Sequence, residues 1–109
     1  MGKFEIKTDR SGMFRFNLKA DNGQIILSSM AYNTKSACET GIWSVRKNSQ
    51  SDDSFERKEA KDGSPYFNLK ASNGLIIGGS EMYASKAAME KGISSVKKNA
   101  PDALVEDNT

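Results

Sequence analysis

Histidine is absent and cysteine occurs once, at Cys38. Those two lacks remove whole classes of chemistry: an imidazole base, a Ser-His-Asp or Cys-His nucleophile, a zinc site built from His or Cys, and a disulfide within one chain. Neither a metal nor an organic cofactor is called for, and no catalytic residues are assigned. Long apolar runs are missing too. None approaches the ~18 residues of a membrane span, and the start, MGKFEIKTDR, lacks the apolar stretch of a secretory signal. Met1-Gly2 opens a myristoylation motif, but Ile6 stands where that motif wants Ser or Thr. The lone cysteine suits a reducing compartment, so the expected location is cytoplasmic. Nor is one sign of charge in large excess: 16 Lys and Arg against 14 Asp and Glu leave +2, too little to steer a polyanion strongly.

What is present is one pattern written twice. Shifted by 51 positions, FNLKADNGQII (Phe16 to Ile26) falls on FNLKASNGLII (Phe67 to Ile77). The match continues without a gap, and 24 of 46 positions are identical between residues 4–49 and 55–100. Two copies are too few for a solenoid and read as a pseudo-twofold pair. The 109 residues, 37% apolar and 28% charged, suit a single domain of two repeats, about residues 3–51 and 54–109.

Each copy has the same plan. Lys3–Thr8 and Ser54–Glu59 read as first strands. Met13–Ala20 alternates, with Phe14, Phe16 and Leu18 on one side and Arg15, Asn17 and Lys19 on the other; Phe67 and Leu69 against Tyr66, Asn68 and Lys70 repeat this. Asn22-Gly23 and Asn73-Gly74 signal type I′ turns into third strands, Gln24–Ser28 and Leu75–Gly79. Thr34 and Ser85 are natural N-caps for helices. Ala37, Gly41, Ile42 and Val45, matched by Ala88, Gly92, Ile93 and Val96, make the apolar stripe. Asn48 and Asn99 are expected to end these helices in the left-handed conformation. A helical glycine at the same place twice points to close approach or to plain inheritance. Leu104 and Val105 predict a short last strand in Ala103–Asp107. The fold class is therefore α+β, two tandem β-β-β-α repeats with both helices on one face of one shared sheet.

The motif F-N-L-K-A-x-N-G-x-I-I, followed by Y, K, A, E and then G-I-x-S-V-x-x-N, closely resembles the YegP-like family of small bacterial proteins of unknown function. The resemblance covers essentially the whole chain. It implies a single antiparallel sheet and exchanged C-terminal strands, and it brings no activity, cofactor or catalytic residue. Gly78-Gly79 in place of Leu27-Ser28, and Ser94 in place of Trp43, are the departures between copies.

Glu39 and Glu90 stand four residues after Lys35 and Lys86 and read as helix-surface ion pairs. Glu5 and Glu56 lie near Lys7 and Lys58 on the polar strand face and read as cross-strand partners. Cys38, opposite Met89 in the alignment, reads as apolar filling, although a helix N-terminus can activate a thiol. The open side of the sheet is the candidate binding face: Arg15, Asn17, Lys19, Tyr66, Asn68 and Lys70, mostly basic but with one aromatic ring. Residues 1–51 carry a net +4 and residues 52–109 a net −2, an asymmetry able to orient a partner. Trp43 is expected to be half-packed over the sheet edge. The functional expectation is a non-enzymatic binding or accessory module, monomeric as an internal pseudo-dimer, with no membrane role. Weak binding of nucleic acid or another anionic ligand at the open face is the alternative, and a carboxylate- or Cys-based enzyme the least favoured. A pocket at Asn17 and Asn68 would favour a ligand site; an exposed Trp43 would favour protein contact.

Overall fold

Alternating apolar and polar residues give each strand a dry and a wet side, and the dry sides share one core. The computed structural model describes residues 2–109. The elements run β1 (Lys3–Thr8), β2 (Phe14–Lys19), β3 (Ile25–Ser29), α1 (Lys35–Asn48), a 3-10 turn (Asp52–Ser54), β4 (Phe55–Glu59), β5 (Pro65–Lys70), β6 (Ile76–Gly79), α2 (Lys86–Asn99) and β7 (Leu104–Asp107). All seven strands join one sheet in the order β4-β5-β6-β3-β2-β1-β7. The repeats meet at β3 and β6, antiparallel, with Ser28 opposite Gly79 and Ser29 opposite Gly78. Both helices pack on the face carrying Phe4, Phe16, Leu18, Leu27, Phe55, Phe67 and Leu69, all buried.

The last strand comes from the second repeat and lies against β1 of the first, but β4 pairs with β5 of its own repeat, so the expected exchange of strands is one-way. β7 runs parallel to β1, with Lys3 opposite Leu104 and Ile6 opposite Asp107, so the sheet is mixed and not antiparallel throughout as expected. The chain leaves α2 beside the start of β1, where Leu104 N–H donates to Gly2 O at 3.3 Å; both strands therefore run onward from the same end.

Several local expectations are corrected. The Asn22-Gly23 and Asn73-Gly74 turns are not type I′, because only their glycines have positive φ (83° and 84°). Ala20 N–H donates to Gln24 O, and Gly23 N–H to Ala20 O. These are three-residue loops with a glycine in the left-handed position, and the loops ending at Gly12 and Gly63 repeat that pattern. Asn48 and Asn99 do not terminate their helices in the left-handed region. They remain helical, and each side-chain amide donates back to the carbonyl of Ser44 or Ser95 at 2.8 Å. The caps are Ser49 and Ala100, both right-handed. Thr34 and Ser85 do cap, accepting from Ala37 and Ala88 N–H. The buried stripe of α1 is Cys38, Gly41, Ile42 and Val45; Ala37 faces out.

The repeated helix glycine has a physical cause. A Cβ on Gly41 would stand 2.8 Å from Tyr32 Cζ and 3.1 Å from Phe16 Cε2, and one on Gly92 2.7 Å from Tyr83 Cζ. Each tyrosine stacks on the strand phenylalanine, Tyr32 on Phe16 and Tyr83 on Phe67, with ring centroids 6.3 Å apart in both repeats. The ring thus fits only against a bare backbone. Gly78 answers a different need. Leu27 fills the seam between repeats, and a Cβ at Gly78 would meet its Cγ at 3.0 Å. Two leucines cannot occupy the seam, so the pseudo-symmetry breaks there.

Candidate functional site

Strand alternation places Arg15, Asn17, Lys19, Tyr66, Asn68 and Lys70 on the helix-free face. Cross-strand register then draws one row across the sheet: Glu56, Asn68, Gly79, Ser28, Asn17, Glu5, Glu106. The centre of the row is small, Gly79 beside Ser28, and Asn17 and Asn68 flank it. The cations are not free. Lys19 and Lys7 both reach Glu5, at 3.1 and 3.3 Å. Lys70 and Lys58 reach Glu56, at 2.7 and 3.8 Å. Arg15 turns to Asp9 at 3.0 Å. The face therefore carries two matching Lys–Glu–Lys triads with alternating charge, where sequence alone shows a mostly basic surface.

The triads differ in depth. Glu5 is 7% exposed, and Asn108 also donates to its Oε2 at 2.9 Å. Its carboxyl is held below the usual range by Lys19 first, against the opposing effect of burial, with Lys7 adding to Lys19. Glu56 is lowered chiefly by Lys70 and is more open.

Among the described residues neither expected helix pair forms. Lys35 reaches across to Asp107 at 2.8 Å. Lys86 faces Glu59 at 3.9 Å. Glu90 takes Arg57, Oε2 accepting from Nε at 2.6 Å and Oε1 from Nη2 at 3.0 Å, a two-point clasp. Asp52 shares the same guanidinium at 3.1 Å and Lys97 at 2.8 Å. Long-range partners outcompete the i,i+4 pairs because the strands bring opposite charge to the helix flank.

Cys38 is buried and its thiol is pushed up to about 11, by burial first and then by the Glu39 and Asp107 carboxylates. Its place near the helix start does not activate it. Every carboxyl with a distinct displacement moves downward: Glu5, Asp9, Asp52, Glu56, Asp62, Glu90, Glu106 and Asp107. A general acid needs the opposite. Among the described residues no group of three acidic or sulfur side chains is arranged to hold a metal ion, and no helix is long and apolar enough to cross a membrane.

Trp43 is 69% exposed, not half-packed. The Arg46 guanidinium lies 5.3 Å from its ring and 5.4 Å from that of Phe4, while its N–H groups donate to Pro101 O and Ala103 O, at 3.3 and 2.8 Å. One arginine thus braces the indole and ties down the approach to β7. Arg46 drew no notice in the sequence for this role. Nor did Ser29 and Ser80, whose hydroxyls accept from Phe16 and Phe67 N–H. Their identity in both copies was the available signal.

A domain of unknown function (DUF1508) matches twice, over residues 9–56 and 60–107. The chain belongs to this family. The UPF0339 protein YegP of Escherichia coli K12 is 49% identical over 108 residues, covering 99% of this chain and 98% of that protein. A UPF0339 protein of Acinetobacter baylyi is 51% identical over 108 residues, covering 99% and 97%. The solution NMR structure of E. coli YegP superposes with a TM-score of 0.94 over 99% of this chain and 93% of that one. That of a Shewanella oneidensis UPF0339 protein, 43% identical, gives 0.92 over 97% and 90%. The YegP-like resemblance and the tandem α+β fold hold, and these UPF0339 relatives carry no enzymatic name.

Proposed function

We propose that this DUF1508 protein is a non-enzymatic, cytoplasmic protein-contact module, a monomer whose two repeats form one folding unit. The carrying observation is Trp43, the one tryptophan, held out to solvent by Arg46. A braced aromatic beside an arginine is the composition of an interface anchor, because such a ring buries large area at low entropic cost. The triads support the same reading. Alternating Lys and Glu suit a mixed-charge protein surface, whereas a phosphate backbone wants cations unopposed by carboxylates. The downward carboxyl shifts and the buried, raised Cys38 thiol support a non-catalytic role.

The test uses three baits in extract of the source cells: wild type, Trp43→Ala, and Lys19→Gln with Lys70→Gln. A protein held by wild type and lost only with Trp43→Ala supports the reading. Loss only with the double lysine variant, at a temperature where its circular dichroism matches wild type, moves the contact to the sheet face. Recovery of nucleic acid, released by salt, replaces the reading with the anionic-ligand alternative.

A further inference from the structure

Pseudo-symmetry makes β4 the counterpart of β1, yet among the described residues only β1 has an outer neighbour. On β1 that neighbour is β7, recognised at its end by Lys35, which holds Asp107 at 2.8 Å, and by Ile6 O, which accepts from Asn108 N–H at 2.9 Å. The counterparts in the second repeat are Lys86 and Arg57. Antiparallel alternation against β5 turns the N–H and C=O groups of Arg57 and Glu59 outward, as it does those of Ile6. Where the end of β7 would lie there is instead a cleft of about 410 Å³, lined by Arg57, Glu59, Pro65, Lys86, Met89 and Glu90. The Lys86 side chain there is 80% exposed.

We propose that the outer edge of β4 docks an extended segment of another protein, added parallel to β4, with apolar residues beside Ser54 and Phe55 and an acidic residue between Arg57 and Lys86. The template is in the molecule: Leu104, Val105, Glu106 and Asp107 lie opposite Lys3, Phe4, Glu5 and Ile6, and transposed by 51 they lie opposite Ser54, Phe55, Glu56 and Arg57. Ser54 closes the 3-10 turn and Phe55 N–H is taken by Asp52 O, so the added ladder starts at the Phe55 carbonyl and runs on to Arg57. The cation left for the acid is Lys86, only loosely met by Glu59 at 3.9 Å; Arg57, in the place of Ile6, is already clasped by Glu90 and Asp52 and flanks the acid without adding a free charge. The third position differs. Glu106 is balanced by Lys3 at 3.2 Å, and Ser54 stands in the place of Lys3, so the segment carries an uncharged residue or a cation beside Glu56. The chain's own β7 cannot serve. It sits across the whole sheet, roughly 30 Å away at the usual strand spacing, and the few residues linking it to α2 cannot span that. Main-chain bonds supply affinity and the Lys86 cleft supplies selection, as in other strand-addition sites. The inward-pointing Arg57 guards the edge against indiscriminate pairing. This inference does not rest on the Trp43 reading, which concerns α1.

The test is an amide-shift titration of the isotope-labelled full chain with a synthetic peptide of residues 103–109 carrying Glu106→Gln. Shifts confined to Phe55–Glu59 and Lys86–Glu90 are expected. Binding should weaken about tenfold with Asp107→Asn in the peptide or Lys86→Ala in the protein, the loss of one charge-assisted contact. Lys86 is exposed, so that variant keeps its circular dichroism. No shift at millimolar peptide overturns the proposal. So do shifts at β1 and β7 instead, which would mean displacement of the tail. Concentration-dependent shifts of β4 without peptide overturn it as well, since a second copy would then be the occupant.

Discussion

The β1 edge and the β4 edge share one sequence plan and present different surfaces. Beside β1 lies β7, so position 6 is an isoleucine, 1% exposed. On the outer side of β4 no strand lies among the described residues, and the matching position is Arg57, clasped by Glu90 and Asp52. Arg46, which binds the carbonyls leading into β7, matches Lys97, which instead meets the Asp52 carboxylate. Leu27 matches Gly78 at the seam. Some differences between the copies thus sit where the pseudo-twofold must fail: at the seam that only one leucine can fill, and at the edge that only one tail can cover. The tyrosine–phenylalanine stacks, the helix glycines and the Lys–Glu–Lys triads are alike in both.

The largest expected effect separates the copies altogether. A chain ending at Ser51 loses the β6 partner of β3 and the β7 partner of β1. Roughly 50 residues with one helix over three short strands make a marginal core. Circular dichroism and sedimentation should show either no cooperative melting or a dimer that restores the seam. A monomeric half with a sharp thermal transition would break the comparison, because the repeats would then be self-sufficient.

Next in size are Gly41→Ala and Gly92→Ala. Each pushes a methyl group into a tyrosine ring packed on a phenylalanine. Overpacking of this kind costs about 2–3 kcal/mol, against the small gain that alanine brings inside a helix. The two losses should agree closely in denaturant melts. A stabilised Gly41→Ala would mean that the repeated glycine is inheritance alone.

These glycines show what a sequence carries and what it hides. Strand alternation, capping by Thr34 and Ser85, and the duplication itself are local signals, and they place six strands, both helices and the polar face. The tail strand was legible from Leu104 and Val105, but its parallel direction depends on where α2 ends in space. Asn22-Gly23 reads as a two-residue turn until the hydrogen bonds show three residues between Ala20 and Gln24. The face residues were placed by alternation. That Glu5 and Glu56 take cross-strand partners was legible; that those partners are the face lysines Lys19 and Lys70 was not, because the strand register is a tertiary fact. Trp43 looked half-buried because large rings usually are; only the geometry of Arg46 shows it standing out.

Removing Leu104–Thr109 should give the β1 edge the bareness of β4. All four β7 residues are exposed, so the loss is mainly ladder hydrogen bonds, about 1–2 kcal/mol. The same contact is pH-sensitive. Asp107 is lowered to about 2, by Lys35 first and then by Thr109, from an ordinary 3.8. A depressed folded value means that the contribution is complete above about pH 4 and fades as pH falls towards 2. Protection factors of β7 amides, referred to the intrinsic rate at each pH, should fall over that window in wild type and not in Lys35→Met. Unchanged melting on truncation would mean that the tail contributes nothing to the edge.

The smallest expected effect sets one triad against the other. Lys19→Gln and Lys70→Gln each remove a lysine from its glutamate, but the glutamates differ in exposure. Glu5 is nearly buried, so taking away its closest cation leaves a poorly hydrated carboxylate with Lys7 and Asn108 alone. Glu56, 33% exposed, regains water when Lys70 is lost, and exposed pairs contribute little. Lys19→Gln should therefore lower the melting temperature measurably and Lys70→Gln hardly at all. For the same reason Lys19→Glu is a poor surface probe, since it sets a second carboxylate beside Glu5 and unsettles the fold. Acid sharpens the contrast. Both glutamates are depressed below an ordinary 4.5, so each supports the fold above that value and loses its contribution as pH falls below it. Lys19→Gln should flatten the acid limb of stability more than Lys70→Gln does. Equal losses, or a larger one for Lys70→Gln, would show that Glu5 is hydrated in solution and that the two triads are energetically the same.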